Sequence, residues 1–383
     1  MRTIPFGKPM IGEEERAAVL EVLSGTQLVH GPRGKAFEAA FAAKTGAPGA
    51  VSLSSCTAGL HLLCFDLGLR PGDEAIVPAQ THAATVHAVE YMGATPVFVD
   101  AEPANGNMDC DALEAAVTPR TRAILLVHFL GVPADMDRVN ALAAKHGLFV
   151  IEDCALALGA RYGGVHAGLL GDAGVFSFYP VKHMTTAEGG MVISRHGDLL
   201  ARLEKTRAFG VDRSYGERTV PGVYDVPALG FNYRMNELSA ALGLAQLDRL
   251  DGFQAAREAN FTLLAELLRE VDEVAVLGAD LPENAVSGRY CLSVILREEL
   301  RPKRPEIMAR MKELGVGLSV YYPSPTPLLT YYREKYGHRP EDFPTALSIS
   351  QGVALPVGPH LGAKDMRYMA DALKQALTEA RHA

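Results

Sequence analysis

The residue types and the spacing around Lys182 point to chemistry that uses an aldehyde cofactor. Lys182 follows the apolar segment 175–178 and precedes a Gly189-Gly190 pair, and Asp153 closes an earlier apolar run, 148–153. A lysine amine forms a Schiff base with an aldehyde, and an acid beside an aromatic cofactor tunes its electronics. A lysine and an aspartate on neighbouring strand ends therefore indicate pyridoxal phosphate.

A phosphate site is predicted where the segment 54–60 follows a strand and opens a helix. The free N–H groups and the positive end of the helix dipole face whatever lies at such a turn. Serine and threonine also favour ordinary helix N-caps without any ligand, so this alternative stays open for the segment taken alone.

Asp153 is expected at the carboxyl edge of a buried strand, where open α/β sheets bind ligands. A carboxylate there can pair with a protonated pyridine nitrogen, which makes the ring a better electron sink. The alternative is an aspartate that caps a helix. Ser177, five positions before Lys182, is placed to reach the cofactor phosphate while the lysine reaches the aldehyde.

The elements that position these residues alternate between strands and helices from about residue 50 to 194. Short apolar runs predict strands at 50–53, 74–78, 95–100, 123–128, 148–153, 175–178 and 191–194. Helical spacing of apolar residues appears between them, and the run 123–127 is continuously apolar, as expected for a parallel strand covered on both faces. We predict an α/β fold with a mostly parallel sheet.

The chain changes character after about residue 250. A helical stretch, 251–270, precedes a short β-type run, 290–296, and two further helical segments, 305–314 and 364–381. We expect a large cofactor-binding domain with the N-terminal segment over 1–250 and a smaller α+β domain over 251–383.

The composition excludes several classes of protein. The 383 residues are 48% hydrophobic and carry a formal net charge of −8, without a concentrated basic tract, so neither nucleic acid nor an anionic membrane surface is an expected partner. No charged leader with an apolar core and no membrane-length apolar run is present. From this we expect a soluble, cytoplasmic protein. The five cysteines lack any CxxC pair, so we expect reduced thiols and no metal site.

Taken together, these stretches resemble the DegT/DnrJ/EryC1/StrS family, the sugar aminotransferases of fold-type I pyridoxal-phosphate enzymes. The similarity covers nearly the whole chain. The residues and segments that carry it are 4–9, 31–32, 55–61, 72–74, 93–100, 128, 131, 133–137, 152–155, 177–190 and 230–237.

The resemblance implies a fold-type I architecture and a specific set of cofactor contacts. Lys182 is the catalytic residue and forms the Schiff base, and Asp153 pairs with the pyridine nitrogen. The remaining implied cofactor contacts are Thr57, the Ala58 backbone, His82 stacked on the ring, Ala155, Ser177 and Asn232. Because Asn232 holds the place of an asparagine that reaches the neighbouring subunit's phosphate site, the resemblance implies a homodimer with shared active sites.

Two positions depart from the family pattern. The family has Gln or His two residues after the position of Cys154, near the phenolic oxygen of the cofactor, whereas this chain has Leu156. The stacking position is more often Phe, Tyr or Trp than histidine, so His82 is also a candidate to titrate or to contact substrate. Both departures concern the substrate more than the chemistry.

The expected function is transamination in two halves, with L-glutamate as donor and a keto-sugar, nucleotide-linked in most relatives, as acceptor. The alternatives are an unactivated sugar such as an octulosonate, a non-catalytic regulatory protein that retains the cofactor, and a dehydratase, in which histidine replaces the lysine. The candidate substrate-recognition residues are 27–30, 213–218, Tyr224 and the 321–322 loop.

Overall fold

The structure is a computed structural model that describes residues 2–212, 220 and 222–382. Its helices are α1 Glu13–Leu23, α2 Pro32–Thr45, α3 Cys56–Asp66, α4 Ala83–Glu90, α5 Cys110–Leu113, α6 Met136–His146, α7 Gly197–Thr206, α8 Glu237–Asp248, α9 Leu250–Leu268, α10 Arg304–Glu313, α11 Thr330–Tyr336, α12 Pro344–Ser350 and α13 Ala363–His382. Its strands are β1 Ala50–Leu53, β2 Glu74–Pro78, β3 Thr95–Val99, β4 Thr121–Val127, β5 Phe149–Asp153, β6 Arg161–Tyr162, β7 Val165–His166, β8 Ala173–Ser177, β9 Gly190–Ser194, β10 Val274–Val276, β11 Ala285–Val286, β12 Leu292–Leu296 and β13 Val353–Leu355.

The large sheet has seven strands in the described part of the chain, in the order β1-β9-β8-β5-β4-β2-β3. Within it, β9 runs antiparallel to both neighbours and the other pairs are parallel. The α/β fold with a mostly parallel mixed sheet is therefore confirmed. Each predicted strand of this sheet exists, with ends that differ from the prediction by at most two residues.

Both faces of the sheet are buried. Along β4, Ile124 and Leu126 belong to the core that includes α2, α6 and α8, whereas Ala123 and Leu125 belong to the core that includes α3 and α7. Since side chains alternate between faces along a strand, a strand covered on both sides must be apolar at every position. This explains the continuous run in the sequence.

A separate core, called the C-terminal core below, lies in the C-terminal part of the chain. The antiparallel sheet β10-β12-β13 packs with α9, α10 and α13. Ile4 of the N-terminal segment also packs into this core, and its N–H donates to Gly315 O at 2.8 Å. Helix α9 contributes Leu250 to the core that includes α2, α6 and α8, and Leu264 to the C-terminal core. The domain boundary at residue 250 stays a prediction.

No helix within the described ranges is long and apolar enough to cross a membrane. The five cysteines are free and buried.

Candidate active site

The proposed cofactor residues meet at one edge of the large sheet. Parallel strands bring their carboxyl ends to the same edge, and Asp153 and Ser177 are the last residues of β5 and β8. His82 lies four residues after the end of β2, and Lys182 lies in the connection from β8 to β9. The start of α3, which follows β1, joins them at this edge.

Lys182 is held in place by groups from distant parts of the chain. Its Nζ lies 5.2 Å from the centre of the Tyr290 ring, a cation–π contact. Burial lowers the pKa of Lys182, and Cys56 and Asp153 act in the opposite direction. These electrostatic interactions place the lysine near both Asp153 and the start of α3.

Asp153 is almost fully buried and accepts a hydrogen bond on each oxygen. Thr85 Oγ1 donates to Oδ2 at 2.7 Å, and the Ala155 N–H donates to Oδ1 at 3.0 Å. A carboxylate has about four lone-pair sites, so capacity for a further N–H remains. Ala155 therefore contacts Asp153, the proposed partner of the cofactor, through its backbone N–H.

The start of α3 lies against the end of the sheet. Gly190 pairs with Ser177, and a Cβ on Gly190 would lie 2.5 Å from the Ser55 carbonyl atoms, so the two backbones touch. Ser177 therefore lies near the first turn of α3, which carries Thr57 and Ala58. A helix N-terminus beside Ser177 fits a phosphate, because the backbone N–H groups and the dipole of a helix start favour an anion.

The N-cap alternative is also realised at this helix. The Ser55 side chain accepts the Ala58 N–H at 3.1 Å. Binding of phosphate through the Ala58 amide therefore requires this N–H to be shared with Ser55 or released by it.

Asn232 is exposed and lies beside the start of α3 of its own chain. It forms an isolated β-bridge with Ala208, and the next residue, Tyr233, accepts the Ser54 N–H at 2.8 Å. Its position leaves the side chain accessible to a second copy of the chain.

His82 is the N-cap of α4, and its Nδ1 accepts the Ala84 N–H at 3.1 Å. In the neutral ring, Nε2 therefore carries the proton. Although its surface is exposed overall, desolvation lowers the pKa of His82, with Asp153 and Lys182 among the neighbours that act on it. The ring contacts Tyr322 edge-on, with centroids 5.7 Å apart. Stacking on the cofactor stays a prediction.

Leu156 is 1% exposed and packs in an apolar cluster that includes Tyr290, Tyr321 and Tyr322. The departure from the family pattern is thus accommodated by aromatic packing. The hydroxyls of Tyr290 and Tyr321 lie 2.8 Å apart, so one donates to the other.

His183, the residue that could be confused with a dehydratase histidine, is buried. Its Nε2 lies 2.7 Å from Gly288 O and must donate to it, since a carbonyl only accepts. Burial and the nearby Arg257 hold the pKa of His183 well below its usual range. The imidazole therefore has a structural role, because it links the connection from β8 to β9 to Gly288.

Sequence reasoning missed two residues of this site, Thr85 and Tyr290. Thr85 lies in the first turn of α4, and a threonine near the start of a helix is typical of any capping segment. Tyr290 lies in the last predicted strand run, where an aromatic residue is ordinary. Neither position has a local signal for its contact with Asp153 or Lys182, because both contacts join distant parts of the chain.

One buried group among the described residues has the chemistry of a metal site: His128, Glu152 and Cys154. The donor atoms of His128 and Glu152 already form hydrogen bonds. Glu152 Oε2 lies 2.8 Å from His128 Nε2 and accepts the Gly168 N–H at 2.6 Å, and His128 Nδ1 accepts the Ala134 N–H at 3.1 Å. We assign this group a structural role at the ends of β4 and β5.

The predicted substrate-recognition residues are only partly brought to the site. Residues 27–30 are exposed and stay a prediction, and Tyr224 is 50% exposed. Tyr321 and Tyr322 reach the cluster around Leu156. The whole segment 213–218 lies outside the described residues.

Known proteins are similar to this chain in sequence and in fold. The DegT/DnrJ/EryC1/StrS aminotransferase family matches residues 9–374. The spore coat polysaccharide biosynthesis protein SpsC of Bacillus subtilis is 35% identical over 98% of this chain and 98% of its own length.

Solved structures of sugar aminotransferases superpose on nearly the whole chain. Spr1654 of Streptococcus pneumoniae, assigned as a sugar aminotransferase, has a TM-score of 0.93 and 28% identity, covers 100% of this chain and 99% of its own, and is also known in forms with pyridoxal and pyridoxamine phosphate. DesV of S. venezuelae, solved with a ketimine intermediate, has a TM-score of 0.87 and 32% identity over 95% of this chain and 94% of its own.

Fold and relatives define a pyridoxal-phosphate-dependent sugar aminotransferase. The chain belongs to the DegT/DnrJ/EryC1/StrS aminotransferase family.

Proposed function

We propose that this enzyme transfers an amino group from L-glutamate to a nucleotide-linked keto-sugar, in amino-sugar biosynthesis for a surface polysaccharide. The observation that carries the proposal is the convergence of Lys182 and Asp153 at one edge of the sheet. The similarity to SpsC, a spore coat polysaccharide biosynthesis protein, supports the polysaccharide context. Pyridoxal phosphate, when bound, supplies an electron sink for the substrate carbon that bears nitrogen.

Lys182 is proposed to anchor the cofactor and then to move the proton. As a free amine, its Nζ would act as the base that takes a proton from the substrate carbon and as the acid that returns it. Burial lowers the pKa of Lys182, so a larger fraction of the amine is neutral and basic than for an exposed lysine. The ring of Tyr290 holds Nζ within the site.

The other residues are proposed to orient the cofactor. Asp153 retains capacity to accept the pyridine N–H, and Ser177, Thr57 and Ala58 surround the place of the phosphate. His82 is proposed to cover one face of the ring.

We also propose a homodimer with shared active sites. The stretch 222–232 exposes four large apolar or aromatic side chains, Val223, Tyr224, Val226 and Leu229, at 50% to 70% of their surface. Large exposed apolar patches mark sites of protein–protein interaction. A second copy on this face brings Asn232 to the partner's phosphate site. Leu229→Asp is then expected to shift the mass in solution from dimer toward monomer and to weaken cofactor binding.

Two alternatives, an aminotransferase for an unactivated sugar and a non-catalytic regulatory protein, differ from this proposal in what they require. An unactivated sugar needs no diphosphate contact, and a regulatory protein needs no turnover. The cytoplasm stays the predicted compartment and is favoured by the free cysteines.

The test follows the two halves of the reaction separately. Protein loaded with pyridoxal phosphate is mixed with L-glutamate, and loss of the visible absorbance of the lysine-bound cofactor reports the first half. The aminated form is then offered matched pairs of one keto-sugar, with and without its nucleotide. Recovery of the visible absorbance with the nucleotide-linked sugar alone supports the proposal.

Lys182→Ala is the informative variant, and Lys35→Ala is its control, because Lys35 is an exposed lysine paired with Glu204. Lys182→Ala is expected to lose the visible absorbance and turnover, and Lys35→Ala to keep both. Turnover that survives in Lys182→Ala contradicts the catalytic role. Recovery with the free sugar alone favours the unactivated substrate, and no response to any donor favours a regulatory protein.

A further inference from the structure

The side chain of Thr85 contacts Asp153, a proposed cofactor residue, and is not itself proposed to contact the cofactor. Thr85 is fully buried in the first turn of α4, and its hydroxyl donates to Asp153 Oδ2 at 2.7 Å. Asp153 comes from β5, so this hydrogen bond joins a helix to the end of a strand. A buried hydrogen bond to a charged group contributes more than one between neutral groups.

The direction of the hydrogen bonds can be deduced. The Thr85 hydroxyl has one proton, which Asp153 accepts, so the Thr81 hydroxyl at 2.8 Å must donate to Thr85. An alternative acceptor for Thr81, the His82 carbonyl, lies farther away, at 3.4 Å. The chain of donors therefore runs from Thr81 through Thr85 to Asp153.

The far end of this chain is anchored in the C-terminal part of the protein. Thr326, which is fully buried, donates its hydroxyl to Thr81 O at 2.6 Å and its N–H to Ala79 O at 2.8 Å. These bonds fix the backbone that leads into α4. Thr81 therefore has little freedom to turn its hydroxyl away from Thr85.

The same turn of α4 also fixes His82. Its Nδ1 accepts the Ala84 N–H at 3.1 Å, so the ring orientation depends on the start of the helix. Asp153 and His82, the proposed partners of the edge and the face of the cofactor ring, are thus both set by one helical turn.

We propose that Thr85 is a positioning residue that sets the orientation of the Asp153 carboxylate toward the pyridine nitrogen, with Thr81 as the second link. The proposal rests on the proposed role of Asp153. The Ala155 N–H holds Oδ1 and Thr85 holds Oδ2, so the carboxylate plane is defined from both sides. Loss of the Thr85 hydroxyl frees this plane to rotate.

The test compares Thr85→Val, which keeps the shape and removes the hydroxyl, with Thr85→Ser, which keeps the hydroxyl. Removal of groups that orient a binding ligand typically costs about 10- to 100-fold in affinity or activity at metal sites, and we expect about 10-fold or more here. Thr85→Val should weaken binding of pyridoxal phosphate to the apo-protein and slow the glutamate half-reaction by this factor. Thr85→Ser should stay within about 3-fold of the natural protein.

Two measurements distinguish positioning from a loss of packing. The first is the pH dependence of the visible absorbance of the bound cofactor, which should shift in Thr85→Val and stay in place in Thr85→Ser. The second is the split between kcat and KM for glutamate, with the loss in kcat. Thr378→Val, on the exposed surface of α13, controls for the substitution itself.

Thr81→Val provides a second test if Thr85→Val does not fold, and we expect a smaller loss of cofactor affinity, about 3-fold. Unchanged affinity, spectrum and kcat in a folded Thr85→Val overturn the proposal, as does a Thr85→Ser protein as impaired as Thr85→Val. If the natural protein binds the cofactor but does not react with glutamate, the proposed donor is wrong, while the affinity and the spectrum still test Thr85.

Discussion

The close contact of Gly190 with the start of α3 gives a sharp prediction about the phosphate site. A Cβ at residue 190 would lie 2.5 Å from Ser55 C and Ser55 O and 2.6 Å from Cys56 N. All three are backbone atoms, so no side-chain rotation can relieve the contact. Gly190→Ala must therefore move the start of α3 away from Ser177, which pairs with residue 190.

The size of the effect follows from the overlap. An ordinary contact needs about 3.4 Å or more, so the two backbones must separate by about 1 Å, and overpacking of this kind typically costs about 1 to 3 kcal/mol in the free energy of unfolding. A displacement of about 1 Å at a group that positions a ligand costs up to about 100-fold in its function. We expect cofactor affinity to fall by about 10- to 100-fold.

Both quantities can be measured on the apo-protein. The chain has no tryptophan, so unfolding in urea is best followed by circular dichroism and cofactor binding by visible absorbance. Gly252→Ala is the matched control, because Gly252 lies in α9 with no other atoms within 4 Å of the added Cβ. It should bind the cofactor normally and be slightly more stable, since alanine is favoured over glycine in helices.

The outcomes separate two claims. If Gly190→Ala unfolds at the same urea concentration as the natural protein, the close approach of the two backbones is wrong. If it is destabilised but binds pyridoxal phosphate with unchanged affinity, the start of α3 is not the phosphate site.

Three further predictions concern Lys182, His166 and Leu156. Burial lowers the pKa of Lys182 from 10.5, and only the neutral amine attacks an aldehyde, so the rate of cofactor attachment to the apo-protein should rise with pH with a midpoint below pH 10.5. A midpoint at or above this value contradicts the burial. His166 is buried, accepts the Gly159 N–H at Nε2 and donates from Nδ1 to Ala167 O, and burial lowers its pKa from 6.5 to about 4. The unfolded chain therefore binds the proton more readily as pH falls from 6.5 to about 4, which should lower the free energy of unfolding by up to about 3 kcal/mol. In His166→Gln, urea unfolding across this pH range should show a smaller loss of this free energy, and an equal loss would rule out His166 as the cause. Leu156→Gln places an amide in the apolar cluster around Tyr290 and should lower the free energy of unfolding by about 1 to 3 kcal/mol. Leu156→Met should cost less than about 1.5 kcal/mol, and equal stability of the two variants would argue against the apolar packing of Leu156.

The sheet and the strand ends that carry the site were predictable because their signals are local. Runs such as 123–127 are apolar at every position, and Ser55 at a strand-to-helix junction is a common N-cap. These patterns were sufficient to place Asp153 and Ser177 at the carboxyl edge. The resemblance to the family added proposed roles for residues such as Asn232, which no local pattern indicates.

The contacts that tune the site could not be predicted, because they join residues far apart in the sequence. Thr85 meets Asp153, and Tyr290 meets Lys182, only after the sheet and the C-terminal part have folded together. Capping also competed with the predicted phosphate contact, since Ser55 takes the Ala58 N–H. Side-chain hydrogen bonds of this kind depend on tertiary structure, which periodicity does not encode.

The most direct test of the central claim locates the cofactor on the chain. The protein loaded with pyridoxal phosphate is reduced with borohydride, which makes the lysine linkage permanent, and its peptides are analysed by mass spectrometry. The expected result is one modified peptide, with the added mass on Lys182. Modification of a different lysine, or of none while the cofactor remains bound, would contradict the assignment of Lys182 as the catalytic residue.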